Sequence, residues 1–367
     1  SGEPVDFSIA RLEVQDGALD LLDRASDRTL SLTDLDLKGE ARSLVGPFRL
    51  DGEVEAAGAR FGLRSTLGKL GAEGTGRLRL ILDGRTSPFG VDLDGALGFT
   101  GHKPQYDGRV TLSRKGTDAL EAWQLSGQVR AGPDGAIAEN LNLALGGAAM
   151  PAQLSGSARL SLGRAIGFDA VLNAKSLDLD ALSRSIGSEA GANGGDMAAS
   201  PTAAFARFIG LFADLPAPQA PSKVGLAVDQ LMLGGTLVRD AHADISGGPD
   251  GWRIDTAEAL LPGDADLRLT NVPVRPAAAM AGAGGPAGGE VSGQLLFTAD
   301  DPSAFLRWAA PEAARDYVAA VKGPVKLAAK FAAAPGRVAL QDMDGSFAEN
   351  RLSGTLTAAL TENGTPK

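Results

Sequence analysis

Apolar and polar residues alternate along most of this chain. In LSLTDLDLKGEARSLVGPFRLDGEVEAAG, residues 30–58, Leu30, Leu32, Leu35 and Leu37 stand at near-alternate positions, with Ser31, Thr33, Asp34, Asp36 and Lys38 between them. After a turn at Gly46-Pro47 the pattern resumes with Leu50, Val54 and Ala56. A period of two predicts strands with one apolar and one polar face. In GRLRLILDG, Leu78, Leu80 and Leu82 oppose Arg77 and Arg79, and in GVDLDGALGF, Val91, Leu93, Leu97 and Phe99 oppose Asp92 and Asp94. Further strands carry Leu160 and Leu162, Phe168 and Leu172, Leu226 and Val228, Leu267 and Leu269, Leu295 and Phe297, and Leu356. Residues 136–163 and 337–364 share one plan, two leucine-bearing strands around a short turn with Leu-Ser-Gly opening the second. Such self-similarity suggests an elongated, sheet-building array.

Three stretches break the alternation. DLDALSRSIG, residues 178–187, reads as a short helix capped by Asp178 or Asp180. Residues 200–216 place Phe205, Phe208, Ile209 and Phe212 at helical spacing with Pro201 just inside the start, a candidate groove plug or membrane contact. Residues 301–322 read as a helix pair with Asp301 or Ser303 as cap and Pro311 as the break. The low-complexity stretch 275–290 reads as a mobile loop. The expected organisation is a β segment over 1–177, a helical and low-complexity insertion over 178–222, and a second β segment over 223–367.

Composition sharpens this picture. Hydrophobic residues make up 44% but aromatic residues only 5%, so the apolar face is Leu, Val and Ala rather than the ring-filled centre usual in a sandwich. A net charge of −10, with basic residues scattered singly, argues against nucleic acid as a partner. The absence of Cys removes disulfides and thiolate chemistry. No run of about eighteen apolar residues occurs. The chain opens SGEPVDFSIARL, without Met and already in a strand-like pattern, which reads as a cut from a longer chain in which any upstream targeting or membrane segment would not be seen.

Candidate chemistry is sparse. GLRSTLGKL, residues 62–70, is reminiscent of a phosphate-binding loop, but five residues separate Gly62 from Gly68 and Leu70 stands where a hydroxyl is needed. His102 and His242 are too few and too far apart for a zinc site, and no metal or cofactor is expected. The Asp-x-Asp pairs Asp34/Asp36, Asp92/Asp94, Asp178/Asp180 and Asp342/Asp344 lack the further ligands of a calcium loop and read as the wet face of strands. No Gly-x-Ser-x-Gly elbow occurs and no carboxylate pair stands out, so no catalytic residue is assigned.

DGALDLLDRASDRTLSLTDLDLKGEARSLVGPFRLDGE, residues 16–53, resembles the AsmA family of bacterial envelope proteins, in which an Asp-Gly strand, an Asp before the turn and a Leu-x-Leu-x-x-Leu-x-Leu strand follow in this order. AKSLDLDALSRSIG, QLMLGGTLVRDAHADISGGPDGWRIDTAEALLPGDADLRLTNVPV and NRLSGTLTAAL are similar to its middle and C-terminal parts. The resemblance implies a periplasmic protein tied to the inner membrane by an N-terminal helix absent from this chain. It also implies kinship with the repeating β-groove, or bridge-like, lipid-transfer proteins, including the TamB-like and YhdP-like groups. The expected fold is mainly β, an elongated, curled antiparallel sheet with a few short inserted helices. Its expected lining is the set of alternating residues Leu30, Leu32, Leu50, Val54, Leu78, Leu80, Leu82, Val91, Leu93, Leu97, Phe99, Leu160, Leu162, Leu226, Val228, Leu267, Leu269, Leu295, Phe297 and Leu356. The expected function is non-enzymatic binding or transfer of phospholipid or another acyl-chain lipid between inner and outer membranes, with envelope proteins as further partners. The alternative is a scaffold for outer-membrane assembly without lipid cargo, its apolar faces buried against each other.

Overall fold

The computed structural model describes residues 8–23, 28–41, 43, 45–56, 58–71, 73–101, 103–116, 122–146, 152–162, 166–181, 217–218, 220–274, 291–309, 323–334 and 337–359. The alternation is realised as nineteen strands of one open, mixed sheet. The chain divides into two compact units, Ser1–Pro151 with Ser157–Ala165, and Ala152–Gly156 with Ile166–Lys367. The expected helix at 200–216, the part of the expected helix at 178–187 beyond Ala181, the loop at 275–290 and the second half of the helix pair, 310–322, lie outside the described residues.

Unit 1 contains β1 (Ile9–Asp23), β2 (Arg28–Ala41), β3 (Phe48–Ala56), β4 (Ala59–Leu67), β5 (Gly76–Gly84), β6 (Phe89–Thr100), β7 (Lys103–Arg114), β8 (Trp123–Gly132) and β9 (Gly135–Leu145). Each pairs antiparallel with the next in sequence. β10 (Ala152–Ser161) is divided between the two units.

Unit 2 continues with β11 (Gly167–Asp178), β12 (Ser222–Leu233), β13 (Thr236–Gly248), β14 (Gly251–Leu261), β15 (Ala265–Val274), β16 (Val291–Ala299), the helix α1 (Pro302–Ala309), β17 (Val325–Ala334), β18 (Arg337–Phe347) and β19 (Asn350–Ala359). Antiparallel pairing holds from β12 to β19, but β11 and β12 run parallel. A parallel pair needs a crossover of a dozen or more residues, and the insertion between Asp178 and Ser222 supplies one.

The β12–β13 hairpin closes on Gly234 and Gly235, both at positive φ (60° and 70°), the conformation a two-residue primed turn demands. The carboxylate of Asp180, itself buried, accepts from the backbone N–H of both glycines at 2.8 and 2.7 Å. Asp178 plays the capping role, accepting from the Ala181 N–H at 2.7 Å. Asp301 caps α1 by accepting from the Ser303 N–H at 3.0 Å, and hydrogen bonding from the Ser303 side chain, then from this backbone N–H, holds its carboxyl below the usual range. The core of unit 2 centres on Ile245, Ile254 and Val272, with Trp252, Leu269 and Phe331 packed around them. Full burial of each such side chain is worth roughly 1.5–3 kcal/mol.

Five strands interrupt their ladders at an Asp or Asn held at positive φ: Asp16 in β1, Asp34 in β2, Asn140 in β9, Asp240 in β13 and Asp342 in β18. At each one, two residues face a single partner residue, the arrangement of a β-bulge. Short polar side chains tolerate the left-handed region better than β-branched or large apolar ones, which is why Asp and Asn hold these places. The bulge at Asp34 explains the near-alternate spacing of the opening stretch. Leu32 opposes Ala56 and Leu37 opposes Gly52, so both lie on one face although they are five positions apart, an odd offset. Leu30 pairs with Leu21 in the backbone ladder, and its side chain lies outside the described residues.

Candidate functional site: an apolar sheet face

Directly opposed residues of paired strands share a face, so the ladders assign faces without ambiguity. In unit 1 Leu80 opposes Ser65 and Leu93, and Leu93 opposes Val110. One row away, Leu82 opposes Leu63 and Val91, and the row runs on through Leu112, Leu125 and Leu143. Leu78 opposes Leu67 and Gly95, Leu50 opposes Gly39 and Ser65, Val54 opposes Phe61, Leu97 opposes Tyr106 and Phe99 opposes Pro104. The expected lining residues of β2–β6 with described side chains therefore stand on one face. Val54 is buried at 5% exposure, Phe99 is 47% exposed, and the remainder are half-buried.

That face is not a closed core. Among the described residues of unit 1, the hydrophobic side chains that reach full burial are Leu35, Val54 and Leu141. Each strand packs on its neighbours in the sheet, and no second layer lies over the leucines among the described residues. Across β2–β9 the described side chains on this face are apolar or glycine except Ser65, Tyr106 and Arg114. Tyr106 lies back over Gly108, its hydroxyl donating to the Arg109 carbonyl at 2.7 Å, and burial pushes its phenol up. Gly95 and Gly108 face each other so closely that a Cβ on Gly108 would stand 2.3 Å from the Gly95 Cα.

The opposite face is charged. One row across it reads Glu40, Arg49, Thr66, Arg79, Asp94, Arg109, Gln128 and Glu139. Arg77 pairs with Asp94 at 3.0 Å, Arg130 with Glu139 at 2.9 Å and Lys115 with Asp83 at 2.6 Å. Lys115 holds the Asp83 carboxyl below the usual carboxylate range. Exposed pairs of this kind are worth at most about 1 kcal/mol each, so their consequence is a wet face rather than added stability. The hollows on this side, of about 550–700 Å³, are lined by the same paired charges, among them Arg77, Arg79 and Asp94. Asp92 and Asp94 thus match the wet-face expectation. Asp34 and Asp342 are instead bulge residues, and Asp178 and Asp180 are caps. His242 opposes Ala227 and Glu258 and is exposed, while His102 lies outside the described residues.

In unit 2, Leu226 and Val228 oppose Ala243 and Ala241, Leu267 opposes Phe297, and Leu269 opposes Leu295. Here part of the face is covered. Phe305 of α1 stacks on Phe297 with ring centroids 4.7 Å apart, Trp308 stands 5.9 Å from Phe305, and the Trp308 indole N–H donates to the Leu233 carbonyl at 3.0 Å. Phe297 is therefore only 7% exposed rather than lining an open surface. Leu356, in β19, opposes Leu340 and stays exposed. Leu160, in β10, and Leu162, just after that strand, are exposed as well.

One feature of unit 1 does not follow from the alternation. Arg114 falls at the apolar parity of β7 after Val110 and Leu112, directly between Phe89 of β6 and Trp123 of β8. Its guanidinium lies 6.0 Å from the Phe89 ring centroid, and the Phe89 and Trp123 centroids are 6.2 Å apart. The available signal was a charge at a position where alternation calls for a hydrocarbon. Compared with known proteins, the chain matches no family model, no curated protein and no solved structure.

Proposed function

We propose that this chain is a non-enzymatic lipid-binding or lipid-transfer element of the Gram-negative envelope, related to the AsmA family. In this reading it works in the periplasm at the inner membrane and shields the acyl chains of phospholipid against the apolar face. The observation that carries the reading is the half-open hydrocarbon face running across β2–β9 with an ion-paired face behind it. An acyl chain in water costs about 0.8 kcal/mol per CH₂, so two chains of ~16 carbons cost on the order of 25 kcal/mol. A surface of Leu, Val and Ala removes much of that cost while the headgroup stays wet. Aliphatic side chains suit a flexible hydrocarbon, which needs no ring-shaped pocket.

A second reading, a scaffold without cargo, is favoured by unit 2, where α1 covers Phe297 and the Ile245–Ile254–Val272 cluster is closed. The experiment that separates the two is lipid mass spectrometry on the chain purified from cells without detergent, beside the double variant Leu80→Asp, Leu93→Asp. These two residues are directly opposed on the apolar face. Phospholipid that co-purifies with the parent chain and is lost from the folded variant supports the lipid reading. A parent chain free of lipid refutes it in favour of the scaffold.

A further inference from the structure

Arg114 is the one charged side chain on the apolar face of β2–β9 among the described residues. Several cations of the opposite face find carboxylates, Arg77 with Asp94 and Lys115 with Asp83 among them, whereas no carboxylate pairs with Arg114 among the described residues. Its Nε is buried and has no hydrogen-bond acceptor. What it has instead is aromatic, the Phe89 ring on one strand and the Trp123 indole on the next. An arginine placed against hydrocarbon with an unfilled donor is costly unless something anionic completes it.

The position explains what that anion is attached to. Arg114 is the last residue of β7, at the rim of the face, and Phe89 and Trp123 begin β6 and β8 beside it. One row inward, two residues and about 7 Å along each strand, stand Val91, Leu112 and Leu125. A charge at the edge of a hydrocarbon strip, flanked by a half-exposed Phe and a Trp, reproduces the order of a membrane boundary: headgroup, aromatic belt, acyl region. We propose that Arg114, between Phe89 and Trp123, is the headgroup site for a phosphate-bearing anionic lipid whose acyl chains lie over Val91, Leu112 and Leu125. The planar guanidinium suits the two free oxygens of a phosphodiester, which it meets with parallel charge-assisted hydrogen bonds. The proposal rests on the lipid-binding reading and adds a headgroup class to it.

The test measures binding of fluorescent phosphatidylglycerol and diacylglycerol with identical chains to the full chain, to Arg114→Met and to Arg114→Lys. Arg114→Met keeps an unbranched side chain and suits the apolar face, and circular dichroism checks that both variants fold. The parent chain is expected to bind phosphatidylglycerol about tenfold more tightly than diacylglycerol. Arg114→Met is expected to erase that difference while leaving diacylglycerol within about twofold, and Arg114→Lys to retain part of it as a point charge. Equal binding of the two lipids by the parent chain, or an undiminished preference in Arg114→Met, overturns the headgroup site and leaves lipid binding standing. Binding of neither lipid overturns both. Binding of glycerol phosphate alone as tightly as the lipid, lost in Arg114→Met, replaces the lipid with a free phosphate ester and overturns the proposal.

Discussion

If the leucine face of unit 1 is open, the same truncation must cost very different amounts in the two units. Leu93→Ala and Ile254→Ala both remove three carbons from an inward-pointing strand position. Ile254 is 6% exposed within the Ile245–Val272 cluster, so its truncation loses transfer energy and leaves a cavity, about 3–4 kcal/mol together. Leu93 is half-buried between Leu80 and Val110, with no layer above it among the described residues. Three methylenes at about 0.8 kcal/mol each, counted at roughly half for partial burial, give about 1 kcal/mol, and no cavity forms where solvent enters freely. The assay is urea unfolding of lipid-stripped protein, read as amide exchange in each unit separately so that a transition of one is not assigned to the other. A Leu93→Ala cost equal to that of Ile254→Ala refutes the reasoning, because it means that the face is covered in solution.

Two further outcomes follow from polar contacts. Asp180→Ala removes the acceptor for the Gly234 and Gly235 N–H groups and is expected to cost about 1–2 kcal/mol, with faster exchange at those two amides; unchanged exchange refutes the capping role. The Asp83 carboxyl, lowered by its hydrogen bond and ion pair with Lys115, has a folded value below its ordinary 3.8. The small contribution of this exposed pair, at most about 1 kcal/mol, is therefore present above that pH and is lost as the pH falls through the lowered value. In Lys115→Met the Asp83 titration, followed by carbon NMR, is expected to move up towards 3.8, and an unmoved titration refutes the pairing.

Period two was enough to read the strands, because a face exposed to water on one side must be written in alternation. It placed Leu78, Leu80 and Leu82 with Val91, Leu93 and Leu97 on a common face, as the ladders do. The bulges were harder to see, since a strict alternation changes parity wherever a residue is inserted. Their signature is nonetheless present in the chain, an apolar residue, a polar one, Asp or Asn, then a small or apolar one: Val14–Gly17, Leu32–Leu35, Ala138–Leu141, Val238–Ala241 and Leu340–Met343. Both halves of the apparent internal repeat contain it. Side-chain direction alone makes Asp34 and Asp342 members of wet pairs; their place in the bulges is a matter of backbone handedness. The helix over Phe297 was also beyond reach, since spacing announces a helix over 302–309 but not which strand it meets. Likewise a parallel β11–β12 pair is written nowhere locally; it follows from where a long connection returns.

The order of pairing has a consequence for how such a chain comes into being. In unit 1 each strand finds its partner in the segment synthesised just before it, across connections of only a few residues in most hairpins. Loop-closure entropy is therefore small at every step, and contact order stays low for an all-β protein. A chain emerging end first, from a ribosome or through a membrane channel, can add one hairpin at a time to a growing edge without waiting for its C-terminus. Pulled from an end, it should come apart the same way, strand by strand, in a sawtooth of small force peaks rather than one cooperative rupture.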